Sequence, residues 1–198
     1  MRGARAAGLA SAASATLATG AATRPGLLER VLRGPASALI VPVEAANDTR
    51  HRSARERGMP AHVTILYPFA PTRHLDAQAR GRLAAAIGQV RAFDFSLREL
   101  RRFPTAVYLA PEPSAPFIAL VEAVMREWPQ YEPYGGAFET VVPHLTVAYG
   151  DTAPTEVRDR VPIEARADEV WLMTRMLSRW VRRQRFRLGP PMDAGLLP

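Results

Sequence analysis

The chain has 198 residues, of which 47% are hydrophobic and 23% are charged, as in a soluble globular protein of one domain or two small lobes. It contains no cysteine, which excludes disulfides, thiolate metal sites and a cysteine nucleophile. No apolar run approaches the roughly 18 residues that a membrane-spanning helix needs.

The net charge of +7 is concentrated at the two ends of the chain. Residues 1–36 carry five arginines and one acid, and residues 175–187 carry six arginines and no acid. Residues 37–174 have 15 arginines against 17 acids and are nearly neutral. Because the chain has no lysine, any cationic phosphate-binding site uses arginine, whose planar guanidinium can bind two oxygens at once.

Composition divides the chain into three segments. Residues 1–36 are rich in Ala, Arg, Ser and Thr and lack the large apolar residues that build a core. They are predicted to form an N-terminal extension that is either disordered or targeting-like. Residues 37–189 carry the strand and helix patterns of one folded domain, and residues 190–198 form a C-terminal tail.

The predicted elements of the first half are short apolar strands joined by polar connections. A strand is predicted over Ala38–Val43, followed by a polar loop or short surface helix over 47–57. His62–Tyr67 is a second strand, stopped by prolines. Asp76 is placed to cap the helix that follows.

The second half adds one clear helix and more strands. Strands over Phe93–Leu100 and Thr105–Ala110 flank a turn over Arg101–Pro104, and Ser114 opens a helix with an apolar stripe. The remaining elements are strands at His144–Tyr149, 163–167, 169–176 and 180–188, a short helix at Pro154–Arg160 and a turn near Leu177–Arg179. Because strands outnumber helices and short links join them, the predicted fold class is α+β with antiparallel sheets.

One six-residue pattern occurs twice in the chain. The segments HVTILY, starting at His62, and HLTVAY, starting at His144, both read H-φ-T-φ-φ-Y, where φ is apolar, and both follow a proline. Two of the chain's four histidines fall in this pattern, so chance is a poor explanation. The repeat therefore indicates two related lobes.

Strand geometry assigns the residues of this pattern to two faces. Side chains at i and i+2 point to the same face, so His62 projects with Thr64, and His144 projects with Thr146. The apolar residues between them point the other way, into a core. We therefore expect two imidazoles and two hydroxyls to surround one cleft.

Such a cleft has the groups that phosphodiester cleavage without a metal needs. A neutral imidazole can accept a proton, and a protonated one can donate a proton to the leaving oxygen. Threonine hydroxyls can stabilise the charge on non-bridging oxygens. The candidate catalytic residues are therefore His62, Thr64, His144 and Thr146, and the sequence leaves open which histidine is the base. No metal ligands are predicted, and no substrate-binding residue is identified.

Four other residues are expected to have structural or surface positions. Regular alternation would place Tyr67 and Tyr149 on the core face of their strands, with substrate stacking as the alternative. His51 and His74 lie in polar segments without a matching partner. We expect these two histidines at the surface.

The last predicted strand separates arginines from apolar residues. Phe186 and Leu188 share one face. Arg183, Arg185 and Arg187 lie on the other face. A solvated face of a terminal hairpin is the first interpretation, and contact with an RNA or nucleotide phosphate is the alternative.

At the duplicated pattern the sequence resembles the two-histidine (2H) phosphoesterase superfamily, in its 2′-5′ RNA ligase-like branch. That superfamily is defined by two H-x-[ST]-x motifs, matched here by His62-Val-Thr64-Ile and His144-Leu-Thr146-Val. The resemblance extends over about residues 37–189. It implies a bilobal α+β fold of two antiparallel sheets, with helices packed outside and a pseudo-two-fold duplication around a central groove.

The residues and the resemblance together lead to one principal hypothesis. The chain is predicted to be a metal-independent phosphodiesterase that acts on 2′,3′-cyclic phosphate or 2′-5′ phosphodiester linkages of RNA ends or small nucleotides, as a hydrolase or a reversible ligase. The alternative is a non-catalytic RNA- or nucleotide-binding protein with the same fold. A metallohydrolase is a third hypothesis, which no metal-binding motif supports. We expect no cofactor, an RNA end or nucleotide as partner, no membrane association, and a cytoplasmic monomer.

Overall fold

The computed structural model of the protein describes residues 37–136, 140–150 and 155–190. The predicted extension 1–36 and all but the first residue of the predicted tail lie outside the described residues. Two four-stranded antiparallel sheets are present, with strand orders β2-β1-β7-β8 and β5-β4-β3-β6. The strands are β1 (Ser37–Pro42), β2 (His62–Leu66), β3 (Phe93–Phe103), β4 (Ala106–Glu112), β5 (Leu145–Tyr149), β6 (Ile163–Ala167), β7 (Glu169–Met176) and β8 (Arg179–Arg187).

Helices α1 (Ala77–Gly88), α2 (Ala115–Glu127) and α3 (Thr155–Arg158) accompany the sheets. The carboxylate of Asp76 accepts the backbone N–H of Ala79 at 2.7 Å, so the predicted cap of α1 is confirmed. None of the helices in the described ranges combines the length and the apolar character needed to cross a bilayer.

The α+β class and the antiparallel pairing are confirmed, with one correction to the predicted connections. The turn predicted over Arg101–Pro104 was wrong, because Arg101 and Arg102 pair in register with Tyr108 and Val107 of the neighbouring strand. Backbone pairing therefore extends β3 by three residues beyond its predicted end. Only two residues remain to connect β3 to β4.

The main core is continuous between both sheets and the two long helices. It contains Leu83 of α1, Val124 of α2 and apolar residues of both sheets, such as Leu39 and Leu109. A smaller apolar cluster lies on the opposite face of the first sheet and consists of Ala38, Ile40, Met59, Trp171, Met173 and Trp180, with Tyr67 packed against it. Each fully buried large side chain stabilises the fold by about 1.5–3 kcal/mol.

An irregularity in β8 changes which of its arginines share a face. The pairing with β7 skips Arg183, which becomes an extra residue in the strand. Arg182 therefore lies on the same face as Arg185 and Arg187. The Nε of Arg183 donates to Thr174 Oγ1 at 2.9 Å on the other face. The predicted grouping of Arg183 with Arg185 and Arg187 was wrong, because the extra residue interrupts regular alternation.

The segment that precedes β2 is attached to the start of β8. The backbone N–H of Trp180 donates to the carbonyl oxygen of Arg57 at 2.7 Å, and its indole N–H donates to the carboxylate of Glu56. Gly58 follows with a φ of +78°. A Cβ at this position would lie 2.1 Å from the carbonyl oxygen of Trp180. Both the backbone conformation and the close approach therefore require glycine.

We predict that Gly58→Ala lowers the free energy of unfolding by at least about 1–2 kcal/mol, the cost of a left-handed conformation for a residue with a Cβ. Gly81→Ala is the matched control, because a Cβ at that exposed position of α1 would meet no atom within 4 Å outside the neighbouring helix backbone. It is expected to stabilise the protein by about 0.5–1 kcal/mol. Urea denaturation measures both changes. Equal stability of the two variants would contradict the close approach at Gly58.

Candidate active site

A cavity of about 300 Å³ lies between the two sheets. The structure brings His62, Thr64, His144 and Thr146 together in the lining of this cavity. The two motif strands are edge strands, β2 of the first sheet and β5 of the second, and these two edges are in contact. The catalytic role of the four residues stays a prediction.

The apolar residues of the two motifs anchor these strands in the main core. Val63 and Ile65 of β2 are buried there, as are Leu145 and Val147 of β5. The polar residues between them are only partly buried and face the cavity. The two-residue period of a strand therefore separates the core from the cavity, as the sequence predicts.

Both motif strands contain a β-bulge at the same place. The pairing of β2 with β1 skips Ile65, and the pairing of β5 with β4 skips Val147. An extra residue reverses the alternation beyond it, so Tyr67 and Tyr149 line the cavity. Tyr149 is 55% exposed. The prediction that these tyrosines face the core was wrong, because regular alternation ends at the bulge.

Each histidine ring is held by one hydrogen bond to the backbone. His62 Nδ1 lies 2.8 Å from the carbonyl oxygen of Pro60, and His144 Nδ1 lies 2.7 Å from that of Val142. Because a carbonyl oxygen only accepts, Nδ1 carries the proton in both rings. In the neutral ring the lone pair is therefore on Nε2, which can accept a proton.

The surroundings of His62 disfavour its protonated form. The pKa of His62 is lowered to about 4, chiefly by burial and also by the guanidinium of Arg50, while the hydrogen bond to Pro60 acts in the opposite direction. The carbonyl oxygen of Pro60 accepts from His62 and also from Arg50, whose Nη1 lies 3.0 Å away. The carbonyl oxygen of Pro60 thus holds the His62 ring next to the positive charge of the Arg50 guanidinium.

His144 lies instead among aromatic rings. The ring centroids of Phe103 and Tyr108 lie 4.9 and 5.5 Å from that of His144, and both rings are steeply inclined to it. The ring of Tyr134 lies nearly parallel at 6.2 Å. Burial lowers the pKa of His144, while the hydrogen bond to the carbonyl oxygen of Val142 acts in the opposite direction.

Tyr134 connects the two motifs and was missed by the sequence analysis. Its backbone N–H donates to the carbonyl oxygen of Tyr67 at 2.7 Å, and its hydroxyl is hydrogen-bonded to Thr64. Burial raises the pKa of Tyr134 to about 12, so the hydroxyl keeps its proton at neutral pH. The residue adopts a φ of 55°, which is strained for a side chain with a Cβ. The glycines after it signal a turn, but no spacing relates that turn to the histidines.

Arg50 is the second cavity residue that the sequence analysis missed. The predicted polar segment 47–57 does hold short helical turns, but Arg50 within it is only 7% exposed. Its Nη1 and Nη2 donate to the carbonyl oxygens of Pro60 and Met59, each at 3.0 Å. Its Nε has no hydrogen-bond partner among the described residues. Burial, assisted by the nearby Arg55, lowers the pKa of Arg50.

The remaining histidines do not contribute to the cavity. His51 and His74 are both exposed, so their predicted surface positions are confirmed. Within the described ranges, no group of three or more histidine or acidic side chains is placed to hold a metal ion. The polar side chains that line the cavity are imidazoles, hydroxyls, two arginines and one acid, Glu56, which accepts the indole N–H of Trp180. The arginines, imidazoles and hydroxyls are suited to an anionic ligand.

Comparison with known proteins gives the fold and the family. A family model described as the 2′-5′ RNA ligase superfamily matches residues 35–178. No curated protein matches significantly. The fold is similar to that of E. coli LigT complexed with 3′-AMP, at 15% identity and a TM-score of 0.50, covering 78% of this chain and 99% of LigT. TT0787 of Thermus thermophilus is similar at 19% identity and a TM-score of 0.56, covering 78% of this chain and 98% of TT0787.

A second LigT structure, complexed with NADP+, is similar at 14% identity and a TM-score of 0.54, covering 79% of this chain and 99% of LigT. At these identities the structural likeness shows the fold alone. The family model spans well over half of the chain, and its description agrees with the resemblance found at the two H-x-T motifs. The chain therefore belongs to the 2′-5′ RNA ligase superfamily.

Proposed function

We propose that the protein is a metal-independent phosphodiesterase for 2′,3′-cyclic phosphate or 2′-5′ phosphodiester linkages in RNA ends or small nucleotides. The observation that supports this most directly is the pair of imidazoles, each fixed through Nδ1, in one cavity with a threonine beside each ring. Solved LigT structures with similar folds are complexed with 3′-AMP, ATP and NADP+, so nucleotide ligands fit this fold.

The proposed reaction is an in-line displacement at phosphorus. A neutral imidazole removes a proton from the attacking water through Nε2, and a new P–O bond forms. The bond from phosphorus to the leaving ribose oxygen breaks, and the second imidazole, which starts protonated, supplies the proton to that oxygen. The threonine hydroxyls donate to the non-bridging oxygens, where negative charge increases.

The two histidines have different surroundings, and we assign their roles from that difference. His62 is the base, because its burial and the adjacent Arg50 both favour the neutral ring. His144 is the acid, because its ring lies among aromatic side chains and not beside a guanidinium as His62 does.

The first prediction concerns turnover of a 2′,3′-cyclic nucleotide. Activity should persist in EDTA, and His62→Ala and His144→Ala should each lower kcat by about 10²–10⁴-fold, because each removes one proton transfer. His74→Ala is the matched control, since that histidine is exposed and away from the cavity. Binding without turnover would favour the non-catalytic alternative, and loss of activity in EDTA would favour a metallohydrolase.

The second prediction concerns the two hydroxyls. Thr64→Val and Thr146→Val keep the size of the side chain but remove the donor. Each should lower kcat by about 10²–10³-fold, by analogy with other oxyanion donors. Thr→Ser at either position keeps a hydroxyl and should retain most of the activity. Valine variants as active as the serine variants would contradict a donor role for the threonines.

The third prediction concerns pH. Below about pH 4 His62 becomes protonated and can no longer accept a proton. The pKa of His144 is lowered from 6.5, so above pH 6.5 the free enzyme has lost the proton that the acid must donate. The profile of kcat/KM should therefore be bell-shaped with its maximum on the acid side of neutrality. A rate that is flat from about pH 5 to 9 would contradict the acid–base pair.

A further inference from the structure

A second and larger cavity, of about 820 Å³, lies at the β7–β8 end of the first sheet, away from β2. Its lining includes Arg182, Arg185 and Arg187 of β8, together with Trp171 of β7. We call this cavity the arginine groove. None of the residues that line it belongs to the histidine cavity, and nothing in the proposed reaction uses it.

The arginine groove and the histidine cavity open on the same face of the first sheet. One row of cross-strand partners runs from Thr64 of β2 through Ile40 and Trp171 to Arg185 of β8. Ile40 lines the histidine cavity, and its neighbour Trp171 lines the groove, so the two sites share a wall. The row crosses three inter-strand spacings, which is roughly 14 Å.

Two of the three guanidinium groups that β8 contributes to the groove are not paired with an acid of the described residues. Arg182 and Arg187 form no ion pair with any described residue, and all three arginines are exposed. The guanidinium of Arg182 lies over the ring of Trp171, 4.3 Å from its centroid, which fixes the orientation of its planar fork. Arg185 is only loosely paired, with its Nη1 3.8 Å from Glu169.

Three acids also line the groove, Glu44, Asp168 and Glu169, and the last two are engaged by other partners. Glu169 accepts the indole N–H of Trp171 at 2.5 Å, and Asp168 accepts from Arg166 at 2.8 Å. Because Trp171 is 8% exposed, it serves as a wall that supports Arg182 rather than as a platform for a base. The hydrogen-bond donors that remain available to a ligand are the guanidinium groups of the β8 arginines, whose geometry and charge suit phosphate oxygens.

We infer that the arginine groove binds the backbone phosphates of single-stranded RNA, on the 5′ side of the terminal phosphate that the histidine cavity holds. The inference rests on the proposed function. A 2′,3′-cyclic phosphate is the 3′ end of an RNA strand, so when the histidine cavity binds it, the preceding nucleotides of that strand extend across the sheet toward the groove. The preferred substrate is then an oligonucleotide rather than a mononucleotide. Recognition is of the backbone and is independent of base sequence.

The test compares a 2′,3′-cyclic mononucleotide with an RNA of about five nucleotides that ends in the same group. In the triple variant Arg182→Gln, Arg185→Gln, Arg187→Gln, the ratio of kcat/KM for the RNA to that for the mononucleotide should fall by about tenfold or more. The salt dependence for the RNA should become shallower by about 2 in log–log slope, since each lost phosphate contact removes about 0.7. The control variant carries the same loss of charge at exposed sites elsewhere, Arg98→Gln, Arg126→Gln and Arg158→Gln.

A second measurement separates this inference from the proposed function. Fluorescence anisotropy of a labelled RNA of the same length, ending in a 3′-phosphate, measures binding to His62→Ala with and without the triple substitution. Weaker binding with the triple substitution supports the groove even if the protein turns over neither substrate. An unchanged kcat/KM ratio together with unchanged RNA affinity, or an equal loss in the control variant, overturns it.

Discussion

Each histidine of the cavity is fixed by a single hydrogen bond from Nδ1 to a carbonyl oxygen two residues earlier, and the available chemistry depends on this bond. It determines the tautomer, because the carbonyl can only accept, and it fixes the ring orientation. The duplicated strand supplies the same bond twice, at His62 and at His144. Two rings prepared in the same way therefore meet at the contact between two sheet edges.

The duplication provides equivalent strands but different neighbours. The same bulge follows both threonines and turns a tyrosine toward the cavity on each side. The residues that pack against the two copies of the motif differ. The buried Arg50 lies beside His62, and aromatic rings surround His144. Acid–base catalysis needs one imidazole that starts neutral and one that starts protonated. Here the difference between the two histidines comes from the residues that pack against the repeated strands.

The sequence predicted the features that depend on local periodicity. The H-x-T spacing placed two polar residues on one face of each strand, and the apolar pattern identified the core. It could not predict the positions of Tyr67 and Tyr149, because the bulges arise from pairing with β1 and β4. It also missed Arg50 and Tyr134, since both reach the cavity through the path of a connecting segment, which no periodic pattern records.

The buried guanidinium of Arg50 also bears on ligation, the reverse of bond cleavage. Microscopic reversibility requires the two imidazoles to exchange tasks when the bond is formed instead of broken, so His62 would have to start protonated. Next to a fixed cation, that arrangement of protons is sparsely populated. Under the proposed mechanism, joining of two RNA ends would begin from a rare protonation state of the protein, which a dianionic terminal phosphate would make more abundant by offsetting the charge of Arg50.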